Sequence, residues 1–441
     1  MIQRNNIFNF LKNSLLNLSN KYSRIHNSKC NSRFISTYES DDENEHIDLM
    51  ENVLSYKHDL LGSRKVFVVM PRKKFGDAHR TVENASSLMA ETKTLVESIN
   101  DWFVVGSQII STPSLNSHHL FGHGSLHSLK EFVKKSGADT VVISLDNITP
   151  PQHQFFQEYF NMEILDRFSV VLKIFNERAQ TKEAKLQLSL AELYYVKKNL
   201  HHLSELDFSK FVVSEKFGGN FDTFFQIKKQ LIQDIEKRIK KRLQKIDKGN
   251  DLYRQHRIKL EIPTVAIVGY TNSGKTSLIK ALTLDQKLIP EDKLFATVSP
   301  TVHEGRLPTL NMKVLYIDTI GFITEIPTTL IHCFNSTLSE ICTADLIVHV
   351  TDVSHPDYAQ QIETVNKTLR EIEVPEKLLE TMIQVENKVD KLDEERLEKF
   401  LNENNESLCI STTERIGLSQ LNQHIEHQII QNTDRIRFKI R

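Results

Sequence analysis

Cysteine is scarce in this chain: Cys30, Cys333, Cys342 and Cys409 are the four in 441 residues. None forms a C-x-x-C pair, which argues against a zinc ribbon or a dense disulfide framework. Scattered thiols of this kind suit a reducing compartment. No apolar run approaches the length that spans a bilayer, so membrane insertion is not expected. Net charge is nearly absent too, at -1 from 56 Lys and Arg against 57 Asp and Glu. That balance averages over uneven segments. Acidic residues are missing before Glu39, and glycine and proline are missing from Asp166 to Leu203. With 39% apolar residues the chain can build ordinary cores, and its length suits two or three domains.

The acid-free opening, residues 1–38, is basic and rich in Ser and Asn, with Arg4, Lys12, Lys21, Arg24, Lys29 and Arg33. Ile7, Phe8, Phe10, Leu11, Leu15, Leu16 and Leu18 supply one face of an amphipathic helix. This is the composition of a mitochondrial transit peptide, and Arg33-Phe34-Ile35-Ser36 resembles a matrix-processing site. The plainer alternative is a disordered tail. Residues 39–62 follow as a linker, acidic from Glu39 to Glu45.

Residues 63–165 read as a small α/β domain. Ser63–Met70, Trp102–Gly106 and Asp139–Ser144 are strand candidates, separated by helical patterns near Thr81–Ile99 and Leu126–Val133. Phe121-Gly122-His123-Gly124 reads as a tight turn, with a nucleotide site as the alternative. Residues 166–250 read as a basic helical hairpin. Leu186, Leu190, Leu193 and Leu200 fall on one helical face. Ile232, Ile235, Ile239, Leu243 and Ile246 do the same in a second helix spanning about Thr223–Ile246, beyond the break at Phe217-Gly218-Gly219-Asn220. That second helix carries Lys228, Lys229, Lys237, Arg238, Lys240, Lys241, Arg242 and Lys245 against Asp234 and Glu236. Such a stripe suits a phosphate backbone, or is simply a solvated face.

Residues 262–431 carry the chemistry. Gly269-Tyr270-Thr271-Asn272-Ser273-Gly274-Lys275-Thr276 fits G-x-x-x-x-G-K-[ST], between the β-branched run Thr264–Val268 and a helix opening at Ser277. Successive N–H groups of such a loop turn inward at an anion, and the helix N-terminus adds positive charge. Lys275 reaches β- and γ-phosphates, and the Thr276 hydroxyl ligates Mg2+. Asp318-Thr319-Ile320-Gly321 closes the strand Lys313–Ile317; its Asp holds Mg2+ through water and the Gly321 N–H meets a γ-phosphate. Between these blocks, Leu294–Thr301 is the switch I region, which must supply a hydroxyl to Mg2+. Asn387-Lys388-Val389-Asp390 closes the strand Thr381–Val385. The Asp390 carboxylate accepts from guanine N1–H and N2–H, which adenine lacks, and Asn387 holds the loop and reaches N7. Ser411-Thr412 is placed for a backbone N–H to meet guanine O6. These elements, in this order, predict a P-loop GTPase domain with a doubly wound, mostly parallel sheet. It hydrolyses GTP to GDP, and Lys275 and Gly321 stand at the γ-phosphate. The residue after the D-x-x-G block is Phe322 rather than Gln, so intrinsic hydrolysis is expected to be slow without a partner. The Asn272 side chain either ligates a K+ beside the phosphates or bonds within the loop.

The chain resembles the HflX family, a ribosome-associated GTPase branch related to the Obg group. The resemblance rests on the P-loop block, on Phe295-Ala296-Thr297, and on Asp318-Thr319-Ile320-Gly321-Phe322-Ile323. Ser336-Thr337-Leu338-Ser339-Glu340, Ala344-Asp345, Phe121-Gly122-x-Gly124 and Arg178-Ala179-x-Thr181-Lys182-Glu183-Ala184-Lys185-Leu186-Gln187 add to it. It covers roughly 63–431. The family motif implies that Thr276 and Thr297 are the Mg2+ ligands, with Phe295, Ala296 and Val298 lining the nucleotide beside them. It implies action on the large ribosomal subunit and its rRNA, in ribosome splitting or late assembly, with the hairpin loop entering the peptidyl-transferase region. With the leader, it implies the mitochondrial matrix. A monomer is expected. Two departures stand out. The family's G-P-G-E-T segment is replaced by Glu215-Lys216-Phe217-Gly218-Gly219-Asn220, and residues 432–441 are a short tail where many members have a further small domain.

Overall fold

Val66, Phe67, Val68, Val69 and Met70 are all buried, the mark of a parallel strand covered on both faces. They belong to β1 (Arg64–Lys73) in a computed structural model that describes residues 62–73, 82–198, 200, 221–286, 288–290, 293–307, 312–324, 330, 335–393 and 408–432. Residues 1–38, most of the linker, the hairpin loop at 217–220 and the tail from 433 lie outside the described residues. Ser63–Arg441 form one compact unit.

After β1 come α1 (Val82–Glu97), β2 (Trp102–Thr112), α2 (His123–Ser136), β3 (Thr140–Ile143), α3 (Pro150–Phe160) and β4 (Glu163–Asp166). The four strands lie in the order β2-β1-β3-β4, all parallel. Two features depart from the sequence reading. β2 continues past Gly106 to Thr112, with a shift of register opposite Val66 and Phe67; a Cβ at Gly106 would lie 2.6 Å from Phe67 Cε2. α3 and β4 had no counterpart in the reading. Their start is nonetheless marked: Pro150 and Pro151 open the helix, and the Thr149 N–H donates to Gln152 Oε1 at 3.0 Å.

The glycine- and proline-free stretch from Asp166 is two helices, α4 (Arg167–Arg178) and α5 (Lys182–Lys198). Asp166 starts the first by accepting from the Ser169 N–H at 2.8 Å. Thr181 restarts the second by accepting from the Ala184 N–H at 3.1 Å. A hydroxyl cap thus interrupts a stretch that lacks the usual breakers. α6 (Phe221–Lys259) is 39 residues long, roughly 58 Å at 1.5 Å per residue, and passes well beyond Ile246. α5 and α6 run antiparallel: Lys197 pairs with Glu236 at 2.9 Å, while the Asn250 amide donates to Glu183 at 3.4 Å near the other end of α5. Leu190 and Leu193 on α5 and Ile232, Ile235 and Ile239 on α6 are buried. The Glu236 carboxyl is pulled below its ordinary range; burial opposes this, but hydrogen bonds from Lys197 and Lys240 prevail.

The remaining elements are β5 (Thr264–Gly269), α7 (Lys275–Thr283), β6 (Thr301–Leu307), β7 (Met312–Asp318), α8 (Asn335–Cys342), β8 (Leu346–Asp352), α9 (Tyr358–Glu371), α10 (Glu376–Glu380), β9 (Ile383–Asn387), β10 (Leu408–Cys409) and α11 (Leu418–Asn432). Their sheet has the order β10-β9-β8-β5-β7-β6, parallel except for β6. One core joins Val265 and Ile267 of β5 to Leu278 and Ile279 of α7 and to Leu421, Ile425 and Ile429 of α11. The sequence motifs therefore come together at the carboxyl ends of β5, β7, β9 and β10. That rim is where ligands bind in open α/β sheets.

Candidate nucleotide-binding site

Beyond β5 the chain turns through Gly269–Gly274 before α7 begins, with φ of 61° at Asn272 and 97° at Gly274. The loop is stapled to the segment after β7. The Thr271 N–H donates to Phe322 O at 2.8 Å, and the Phe322 N–H to Gly269 O at 3.1 Å. Phe322 itself is buried. An apolar residue follows Gly321 because its ring packs inside while its main chain ties two loops together. Gly321 must lack a side chain: a Cβ there would lie 2.7 Å from the Thr271 methyl and 3.1 Å from Lys275 Nζ. Lys275 is buried, and its ammonium donates to Tyr270 O at 2.8 Å and Gly269 O at 3.2 Å. Burial lowers its pKa to about 8, against the raising effect of Asp318. Thr271 Oγ1 and Ser273 Oγ are buried without a protein partner.

Asp318 ends β7 and gathers the hydroxyls. Its Oδ2 accepts from Thr276 Oγ1 at 2.7 Å and from Thr297 Oγ1 at 3.0 Å, and the two hydroxyls are 3.4 Å apart. Its Oδ1 is buried with no protein partner. A half-satisfied buried carboxylate beside two hydroxyls and below phosphate-facing amides is the oxygen donor set a Mg2+ takes. The residues present therefore fit the metal: Thr276 and Thr297 would hold it, with Asp318 behind them. When bound, Mg2+ neutralises charge on the β- and γ-phosphates. Thr319 is occupied otherwise, donating to Ile267 O at 2.7 Å, so it locks β7 to β5. Thr271, Asn272, Gly274, Lys275, Thr276, Phe295, Ala296, Thr297, Thr319 and Gly321 share one pocket. Val298 and Ile320 are buried at its margin.

The base end is tied to the phosphate end. The Asn387 amide donates to Ser273 O at 2.9 Å, and its oxygen accepts from the Thr412 N–H at 3.3 Å. Asn387 thus joins the P-loop to the Ser411-Thr412 loop. Lys388, with φ of 68°, donates to Asn272 O at 2.7 Å and pairs with Asp352 at 2.7 Å. Val389 is buried, and Asp390 is exposed on the short 3-10 turn Val389–Lys391, free to present its carboxylate to a base. The Ser411 N–H donates to Ile416 O at 3.2 Å, so the main-chain amides of Ser411 and Thr412 also shape this loop.

Tyr270 was expected in the phosphate loop, but its contact with the segment after Gly321 was not read from the sequence, nor were two arginines. The Tyr270 hydroxyl holds the Thr324 N–H at 2.6 Å. Arg167, almost wholly buried, donates to Thr324 O at 2.6 Å and pairs with Glu91 at 2.7 Å. Arg178 donates to the carbonyl oxygens of Leu294 and Ser98. Of the two arginines only Arg178 had a signal, since it opens one of the blocks that carried the family resemblance.

A phosphate loop, an oxygen cluster that fits Mg2+ and an exposed Asp390 carboxylate at one rim of this sheet are the arrangement of a P-loop GTPase. Residues 264–410 match a family model described as a 50S ribosome-binding GTPase, 86–176 one described as GTP-binding GTPase N-terminal, and 178–257 one described as GTP-binding GTPase Middle Region. GTPase HflX of Caldanaerobacter subterraneus is 36% identical over 338 residues, covering 76% of each chain. GTP-binding protein 6 of Xenopus laevis is 37% identical over 400 residues, covering 90% of this chain and 74% of its own. A chloroplastic GTP-binding protein of Arabidopsis thaliana is 35% identical over 324 residues, covering 66% of this chain and 52% of its own. The chain belongs to the HflX family of GTPases: it binds and hydrolyses GTP.

The lowered pKa of Lys275 has a consequence for binding. With its pKa near 8 in the protein alone, an arriving polyphosphate raises it, so binding takes up a proton once the pH exceeds that value. Affinity for GTP is expected to fall as pH rises from about 7 to about 8.5, and binding heats near the upper end to depend on the buffer's ionisation enthalpy. Affinity that stays level across this range, with buffer-independent heats, would contradict the assignment of Lys275.

Proposed function

We propose that this GTPase acts on the large ribosomal subunit of mitochondria, in ribosome splitting and recycling or in late subunit assembly. The observation that carries the reading is α6, a single 39-residue helix whose Lys229, Lys237, Arg238, Lys241 and Lys245 are exposed. A long cationic rod suits the phosphate backbone of rRNA better than it suits a small protein effector. Its far end is bonded into the GTPase: Arg254 and Arg257 pair with Glu340 of α8 at 2.9 Å and 2.8 Å. A change at the nucleotide therefore has a route to the rod. The family model described as a 50S ribosome-binding GTPase supports the same partner.

In this reading residues 1–38 are a mitochondrial transit peptide, 39–62 a linker, 63–165 the amino-terminal α/β domain, 166–250 the hairpin that meets rRNA, 262–431 the GTPase domain and 432–441 a tail. The leader's composition and the chloroplastic relative support an organellar setting. The protein works as a monomer. No helix among the described residues is long and apolar enough to cross a membrane. Asn272 holds a K+ beside the phosphates, where it acts on developing negative charge.

Phe322 offers no polar group to orient water, so the isolated protein should turn over slowly. Saturating large subunits are expected to raise the GTPase rate by more than about tenfold. Unchanged turnover would favour an RNA-binding module in which hydrolysis is incidental. Exchanging K+ for Na+ in the same assay should slow hydrolysis, and equal rates would dismiss the cation role of Asn272.

A further inference from the structure

Helix α4 follows the four-stranded sheet, yet it grips both loops that would sense a γ-phosphate. At its carboxyl end the Arg178 guanidinium spans two carbonyls, donating from Nη1 to Leu294 O and from Nη2 to Ser98 O at 3.1 Å. One turn earlier, Phe175 meets Phe295 edge-to-face at 4.7 Å between ring centroids. Just past the helix, the Thr181 and Ser299 hydroxyls are 3.0 Å apart. Leu294, Phe295 and Val298 are buried by these contacts and others. At its amino end Arg167 holds Thr324 O, three residues past Gly321. Both guanidinium contacts go to main-chain carbonyls, so they fix backbone position whatever the side chains do.

We propose that Arg178 is a positioning residue for GTP hydrolysis. It lies outside the set of residues that line the phosphate pocket. It pins Leu294 and turns Phe295, which has φ of 55°, inward against α4. Thr297, two residues on, then arrives at Asp318 with its hydroxyl 3.0 Å from Oδ2. A guanidinium is needed because its rigid fork reaches two carbonyls at once, whereas an ammonium is a single point donor. Without Arg178 the switch I segment keeps its aromatic contact but loses its fixed register, and Thr297 meets the metal only part of the time. The role is independent of any ribosomal partner and rests on Thr297 being the switch I Mg2+ ligand.

The full-length protein and its Arg178→Ala, Arg178→Lys and Thr297→Ala variants decide it. Affinities for fluorescent GDP and for a fluorescent non-hydrolysable GTP analogue are measured with Mg2+, beside single-turnover hydrolysis and deuterium uptake across 294–299. GDP affinity rests on the P-loop and Asp390, so in Arg178→Ala it should stay within about twofold of the parent. Affinity for the GTP analogue and the hydrolysis rate should each fall by about tenfold or more, and switch I amides should exchange faster. Arg178→Lys should recover part of both losses. An Arg178→Ala protein that keeps its GTP-over-GDP preference and rate overturns the proposal. Should Arg178→Ala fail to fold, Arg178→Lys decides alone: an intermediate loss supports the role and parental behaviour overturns it. Thr297→Ala separates the causes. If it too keeps the preference, the premise about switch I is wrong. If only Thr297→Ala loses it, the brace is wrong.

Discussion

One buried carboxylate joins three parts of the GTPase. Asp318 stands at the end of β7, with 1% of its surface exposed, and accepts the hydroxyls of Thr276 from α7 and Thr297 from switch I. Burying a carboxylate is costly unless its lone pairs are filled. Two hydroxyls fill one oxygen, and the other is left without a protein partner. The arrangement fits a cation, and Asp318 already holds switch I beside the first turn of α7. Lys275 lies nearby, its charge disfavoured by burial until phosphate is present. The pocket is thus built around charges that only a metal–nucleotide pair completes.

The guanine end is not a separate device. Asn387 and Lys388 bond to the main chain of Ser273 and Asn272, so the loop after β9 also shapes the loop after β5. Outward from the site, Arg178 and Arg167 of α4 tie switch I and Thr324 to Ser98 and Glu91 at α1, and α6 is anchored to α8 through Glu340. Most of these ties end on main-chain oxygens or on paired charges.

The site was more legible in the sequence than its surroundings, for a physical reason. A phosphate cradle needs glycines and a lysine at fixed spacing, and guanine reading needs a carboxylate at a strand end, so local chemistry writes itself into short motifs. The residues that hold those motifs in place leave no such trace. Arg167 and Arg178 bond to carbonyls more than a hundred positions away, and any residue type can offer a carbonyl. The split between α4 and α5 was hidden because a Thr181 cap, not a glycine or proline, makes it. The length of α6 was underestimated because the pattern of buried isoleucines stops before the helix does; its last turns are held by Arg254 and Arg257 instead. The small strand β4 and helix α3 were missed beside a run of polar and aromatic residues with no clear period.

The account stands on Asp318 coupling metal to nucleotide. The direct measurement is the affinity for a non-hydrolysable GTP analogue with Mg2+ and with a chelator, in the parent protein and in Asp318→Asn. Removing Mg2+ is predicted to weaken binding strongly in the parent and scarcely at all in the variant. A variant that keeps the parent's full dependence on Mg2+ would contradict it.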